Sequence, residues 1–285
     1  MIRKDLLFES AIILWIAACL VIAAGISGCA NLMPPGPGPT QPVVAPSVTP
    51  SPIVIGDAAG GGVEGQDKLV INSACAKYAW KDRGRAPVGY IKGVVASYQK
   101  SICRKDPVMT QPISDGSKDA LAWYGLTGAT AEERLLKTYT LLLGLGMRES
   151  GGKWCLGRDT SASNFSADTC EAGPFQTSAN SRGASKALTE LETWYKSHPE
   201  ACNLSVWKEG VSADYWNCKT PIGGSGPGAD WQRMIRSCPS FAAEWAAITL
   251  RTLRKHYGPF SAKAAEYNSD CELMLRSIQA QTKCD

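Results

Sequence analysis

One apolar run constrains this chain more than any other stretch. Thr130 followed by Glu133 forms a capping box, and it opens a helix through Leu135, Leu136, Tyr139, Leu142, Leu143 and Leu145 to Met147-Arg148-Glu149-Ser150. Its apolar residues are so dense that most of its surface must be buried, and the rest of the domain has to pack around it. Glu149 ends up beside that core. Burial disfavours the ionised carboxylate, and the partial negative charge at a helix C-terminus disfavours it again, so both push the pKa upward. A carboxylic acid that is neutral near pH 7 is what a general acid requires. The plainer reading of Glu149 is a solvated helix-end residue beside Arg148.

Three short patterns tip that balance. Glu149-Ser150-Gly151, then Glu171-Ala172-Gly173-Pro174-Phe175-Gln176-Thr177-Ser178, then Ala265-Glu266-Tyr267-Asn268 resemble, in order, the E-S, G-x-x-Q and A-Y-N signatures of the soluble lytic transglycosylases. The resemblance runs from about Thr130 to Asn268. It implies a mainly α (α+β), single-domain, lysozyme-like fold and cleavage of the MurNAc-β-1,4-GlcNAc bond in bacterial peptidoglycan. It also implies that Glu149 alone is general acid and then base, with the muramic C6 hydroxyl attacking its own C1 to leave a 1,6-anhydro end. Ser150, Gln176, Thr177, Tyr267 and Asn268 stand at the substrate-binding positions. Gln176 and Asn268 would bind sugar amides and hydroxyls, Tyr267 would orient Glu149 or the substrate, and Ser150 would steady the turn after the helix. The chain departs from the signatures at Pro174, at the inserted-looking Glu266 and at Ser269-Asp270.

Two other function classes compete with this one. A hydrolase of the goose-type muramidase kind needs a second carboxylate across the scissile bond. Asp159, Asp168 and Glu171 are the candidates, with Asp159 or Asp168 as the expected water-positioning group. The third class is a lipid-anchored, non-catalytic wall-binding module.

Residues 1–28 read as a secretory signal: Arg3 and Lys4 precede an apolar run from Ala11 to Ile26, which stops at Ser27-Gly28-Cys29. Cys29 resembles the lipidated cysteine of a bacterial lipobox, and Ala30 after it favours the outer membrane, facing the periplasm. An uncleaved signal anchor is the rival reading, because the run is only slightly short of the roughly 20 residues of a membrane span. Residues 29–66 are rich in proline and then in glycine, as a tether would be. Residues 67–285 are long enough for one domain with a substantial core. Helical patterns cover Pro87 to Ile102, Thr130 to Glu149, Ser185 to Tyr195, Trp231 to Arg236, Pro239 to Tyr257 and Asp270 to Gln281. The polar stretch from Lys153 to Glu171 reads as a small hairpin or irregular loop.

Charge and cysteine usage exclude several classes. The net charge of +4 survives removal of Arg3, Lys4, Asp5 and Glu9, and it is too weak and dispersed for a nucleic-acid partner. Gly223 to Gly228 lacks the following Lys-Ser/Thr of a phosphate loop and reads as a surface loop. No cofactor is implied, and no metal, since C-x-x-C spacing is absent and the only histidines are His198 and His256. His256 reads as a helix-end residue. Beyond Cys19 and Cys29 stand Cys75, Cys103, Cys155, Cys170, Cys202, Cys218, Cys238, Cys271 and Cys284, enough for four disulfides with one thiol over. Cys155 and Cys170 bracket the polar stretch and are expected to pair, closing a short loop worth about 3 kcal/mol.

Overall fold

The computed structural model describes residues 63–160, 165–212, 214 and 216–284. The signal segment, Cys29 and the tether up to residue 62 lie outside them. Among the described residues seven helices of two or more turns follow one another: α1 (Val63–Asn72), α2 (Val88–Arg104), α3 (Ala131–Ser150), α4 (Lys186–Ser197), α5 (Pro227–Ser237), α6 (Pro239–Thr252) and α7 (Ser269–Gln281). A hairpin of two short strands, β1 (Ala79–Trp80) and β2 (Gly84–Arg85), precedes α2, with Trp80 opposite Gly84. The chain is mainly helical. Among the described residues no helix is long and apolar enough to cross a membrane. Helix α1 begins inside the stretch read as tether; Asp67 pairs with Lys92 at 2.8 Å and Gln66 accepts from Gln99, which fastens it to α2.

The packing follows from α3. Thr130 caps it by accepting from the Glu133 N–H, and Glu133 accepts in return from the Ala129 N–H at 2.8 Å, one residue earlier than the usual box. Leu136, Tyr139, Leu141, Leu142, Leu143 and Leu145 are completely buried, because α2, α6 and α7 pack around α3. Two glycines make that possible. A Cβ on Gly144 would overlap the Glu266 carbonyl, and one on Gly146 would overlap the Tyr90 hydroxyl and the Phe175 ring. The helix closes at Gly151, which is left-handed at φ 63°, with the Gly151 and Gly152 N–H groups donating to the Met147 and Gly146 carbonyls.

The most deeply buried charges, Asp119, Glu244 and Arg251, are paired. Glu244, inside α6, takes Arg104 at 2.7 Å and the Tyr195 hydroxyl at 2.6 Å. Arg251 meets Asp119 at 3.1 Å and donates to the carbonyls of Met109, Gln111 and Pro112, so it satisfies a whole loop from within. Helix α6 stops at Thr252 and not near Tyr257: the Arg254 N–H is taken by the Lys118 carbonyl and its guanidinium lies over the Trp123 ring, 4.1 Å from the centroid.

The disulfides correct one expectation. The bridges are Cys75–Cys271, Cys103–Cys284, Cys155–Cys218 and Cys202–Cys238, and the buried Cys170 is in none of them. Cys155 is held against the segment that precedes α5, where the Arg236 guanidinium donates to the carbonyls of Cys155, Cys218 and Thr220. Cys170 instead packs under Gly223, where a Cβ would overlap its sulfur.

Candidate active-site groove

The last turn of α3 and the turn after it deliver Glu149 to the junction of two cavities. The first, about 430 Å³, is lined by Asp82, Arg83, Arg85, Glu149, Lys153 and Leu156 among others. The second, about 210 Å³, is lined by Glu149, Leu156, Arg158, Asp159, Glu171 and Gln176 among others. Glu149 and Leu156 border both, so the two cavities form one groove across the carboxyl group. Ser150 fixes the turn: its hydroxyl donates to the Gly146 carbonyl and accepts from the Lys153 N–H.

The far wall is a tight loop. Ala172 and Thr177 exchange two backbone hydrogen bonds, Gln176 donates its N–H to the Gly173 carbonyl, and the Gly173 N–H reaches Leu156. Gln176 sits in the left-handed region at φ 44°, a conformation a non-glycine residue holds only when its surroundings fix it. Its side-chain amide supplies that fixation by donating to the carbonyls of Gly157 and Gly173. The Thr177 hydroxyl is buried and finds no hydrogen-bond partner among the described residues.

Electrostatics separate the carboxylates. Burial and then the neighbouring Glu171 push Glu149 up to about 8, while Arg83 and Arg148 pull the other way. The negative helix end contributes less than the sequence suggests, since the Arg83 guanidinium donates to the Met147 and Arg148 carbonyls. Glu171 is also raised, first by burial and then by Asp159.

Other expected site residues fall differently. Asp168 is exposed and borders neither cavity, so Glu171 replaces it as the carboxylate nearest in charge to Glu149. Asp159 lies at the outer rim of the smaller cavity. The Tyr267 hydroxyl donates to Glu272 and therefore does not orient Glu149. Tyr257, fully buried, is the tyrosine whose hydroxyl feels both Glu149 and Glu171, and it sits against the Thr249 hydroxyl. Asn268 caps α7 by accepting from the Cys271 N–H. Glu266 grips the hairpin, accepting from the Tyr78 hydroxyl and the Lys81 N–H at 2.8 Å each, and so positions Arg83 and Arg85 along the groove. The hairpin's role carried no sequence signal, because two-residue strands show no period. Among the described residues no cluster of His, Cys, Asp or Glu could hold a metal ion. Set against protein-family models, curated proteins and solved structures, the chain matches none.

Proposed function

We propose that the chain is a peptidoglycan lytic transglycosylase with a lysozyme-like fold, and that Glu149 is its general acid and base. The observation that carries this reading is the Glu149 carboxyl held up to about 8 at the floor of an open groove. At neutral pH it keeps a proton for the glycosidic oxygen. As the C1–O bond breaks, the C6 hydroxyl of the same muramic residue closes on C1, and ionised Glu149 takes the hydroxyl proton. No water is consumed. The three motif resemblances support the substrate class, and the groove suits a strand that runs past the acid on both sides.

Glu149→Gln preserves size but cannot deliver a proton, so cleavage of isolated cell walls should fall by roughly 10²- to 10⁴-fold with the fold intact. Mass spectrometry of the wild-type product should find 1,6-anhydro ends. Near-normal cleavage by the variant would falsify the assignment. One observation favours a hydrolytic alternative: Glu171 borders the same cavity as Glu149. Free reducing ends, together with loss of cleavage in Glu171→Gln, would select it. The proposal includes a lipid anchor on Cys29 in the outer membrane; retained lipid labelling in Cys29→Ser would exclude that anchor.

A further inference from the structure

The groove is electrically lopsided. On one side of Glu149 lie Arg83, Arg85 and Lys153, with a single carboxylate, Asp82, which Arg148 approaches at 3.6 Å. On the other side lie Asp159 and Glu171 with Arg158 alone. Among the described residues neither Arg83 nor Arg85 is in an ion pair. Arg83 gives its Nε–H and one N–H of Nη2 to the carbonyls of Met147 and Arg148, which fixes the plane of the guanidinium and leaves its remaining N–H groups for another acceptor. Arg85 is exposed at the mouth of the same cavity, and its strand is held by the Glu266 clamp. A cavity of about 430 Å³ is larger than a cation-lined crevice needs for a water or a simple ion, and it accommodates a substituent that branches from a strand.

We infer that this cavity binds a carboxylate borne by the glycan strand, with Arg85 and Arg83 as its ligands and Lys153 at the back, and that the acidic opposite flank fixes which way the strand lies. This rests on the glycan reading for the identity of the strand, but its chemistry is that of the cavity. Guanidinium groups meet carboxylates in a planar two-point contact, which gives direction as well as affinity. A carboxylate placed on the other flank would meet one guanidinium, that of Arg158, beside the acidic side chains of Asp159 and Glu171, in place of the three cations of this cavity. On a peptidoglycan strand the carboxylate has two sources: the lactyl group of a peptide-free muramic residue, or the stem peptide attached to it.

The test measures binding, so that it stands apart from catalysis. The full chain carrying Glu149→Gln, which prevents turnover, is titrated with four probes: strands bearing stem peptides, amidase-treated peptide-free strands, either strand with its carboxyl groups blocked as methylamides, and neutral chitooligosaccharide. The expected result is binding about tenfold weaker after blocking, with a further fall as salt is raised. Adding Arg85→Gln should lower binding of the unblocked strand to the level of the blocked one, and Lys153→Gln should act in the same direction. Whichever unblocked strand binds tighter identifies the carboxylate. Equal binding of blocked and unblocked strands, an Arg85→Gln effect of the same size on both, or no strand binding at all overturns the inference. Carboxylate-dependent binding by a wild-type protein that cleaves nothing would instead remove the enzymatic reading and leave the pocket in place.

Discussion

Glu149 is set by neighbours of opposite sign, and each can be removed singly. Cleavage that needs its proton should decline as pH rises through about 8. Arg83→Met removes a cation that favours the ionised form and should move that decline to higher pH; Glu171→Gln removes a like charge and should move it lower. Rate profiles in kcat/KM check both, and shifts of the opposite sign would dismiss this account of the site. Stability carries the same signature. Because the folded pKa lies above the ordinary 4.5, the stabilisation linked to the protonated group is whole below about 4.5 and is lost as pH rises through about 8. The melting temperature of Glu149→Gln relative to wild type should therefore climb between about pH 5 and pH 9. A flat difference would count against it. The direction of the Glu149 shift was legible because burial of α3 is a local property of its residues. Arg83 and Glu171 were not legible as its neighbours, since they reach Glu149 across separations only the tertiary fold closes.

At the scale of elements, the helices declared themselves where a period and a cap coincide. Helix α3 spans Ala131–Ser150 behind its Thr130 cap, within a residue of its pattern, and α2, α4 and α7 lie almost as close to theirs. Helix α5 runs longer than its apolar core because Pro227 starts it without a side-chain cap to read, and α6 is shorter because a distant carbonyl, that of Lys118, takes the N–H that would have continued it. The hairpin of the groove wall was invisible. The glycines of α3 offer a sharp test. Gly144→Ala should gain about 1 kcal/mol of helix propensity, yet its Cβ must displace the Glu266 backbone, and overpacking of that kind costs typically about 1–3 kcal/mol. The net effect expected is a lower urea midpoint at unchanged m-value, together with weaker binding in the cavity whose hairpin Glu266 holds. A raised midpoint would mean that the segment from Ala265 to Asn268 shifts freely.

Over the whole molecule, the number of disulfides could be counted from the sequence and their partners could not. Nine cysteines allow four bridges, and four are present among the described residues, but the short Cys155–Cys170 loop gave way to Cys155–Cys218 because Arg236 gathers three carbonyls around that bridge. The loop this bridge closes spans 63 residues, worth about 4 kcal/mol in the chain-entropy picture. Peptide mapping of the oxidised protein should recover Cys155 with Cys218.

None of the four bridges joins cysteines that are neighbours in the chain: Cys75 skips to Cys271, Cys103 to Cys284, and the Cys155–Cys218 and Cys202–Cys238 loops interleave. A polypeptide oxidised in order of emergence would join Cys75 to Cys103 and Cys155 to Cys170, whereas the partner of Cys103 lies 181 residues downstream. The expected slow step in oxidative folding is therefore reshuffling of bridges more than their first formation. With an oxidant alone, the reduced chain should collect in mixed bridged isomers, and a disulfide isomerase with a thiol buffer should convert them to one species. Chromatography of quenched samples follows that conversion, and a high yield of the single native isomer without the isomerase would show that collapse around α3 brings the partners together before any bridge forms.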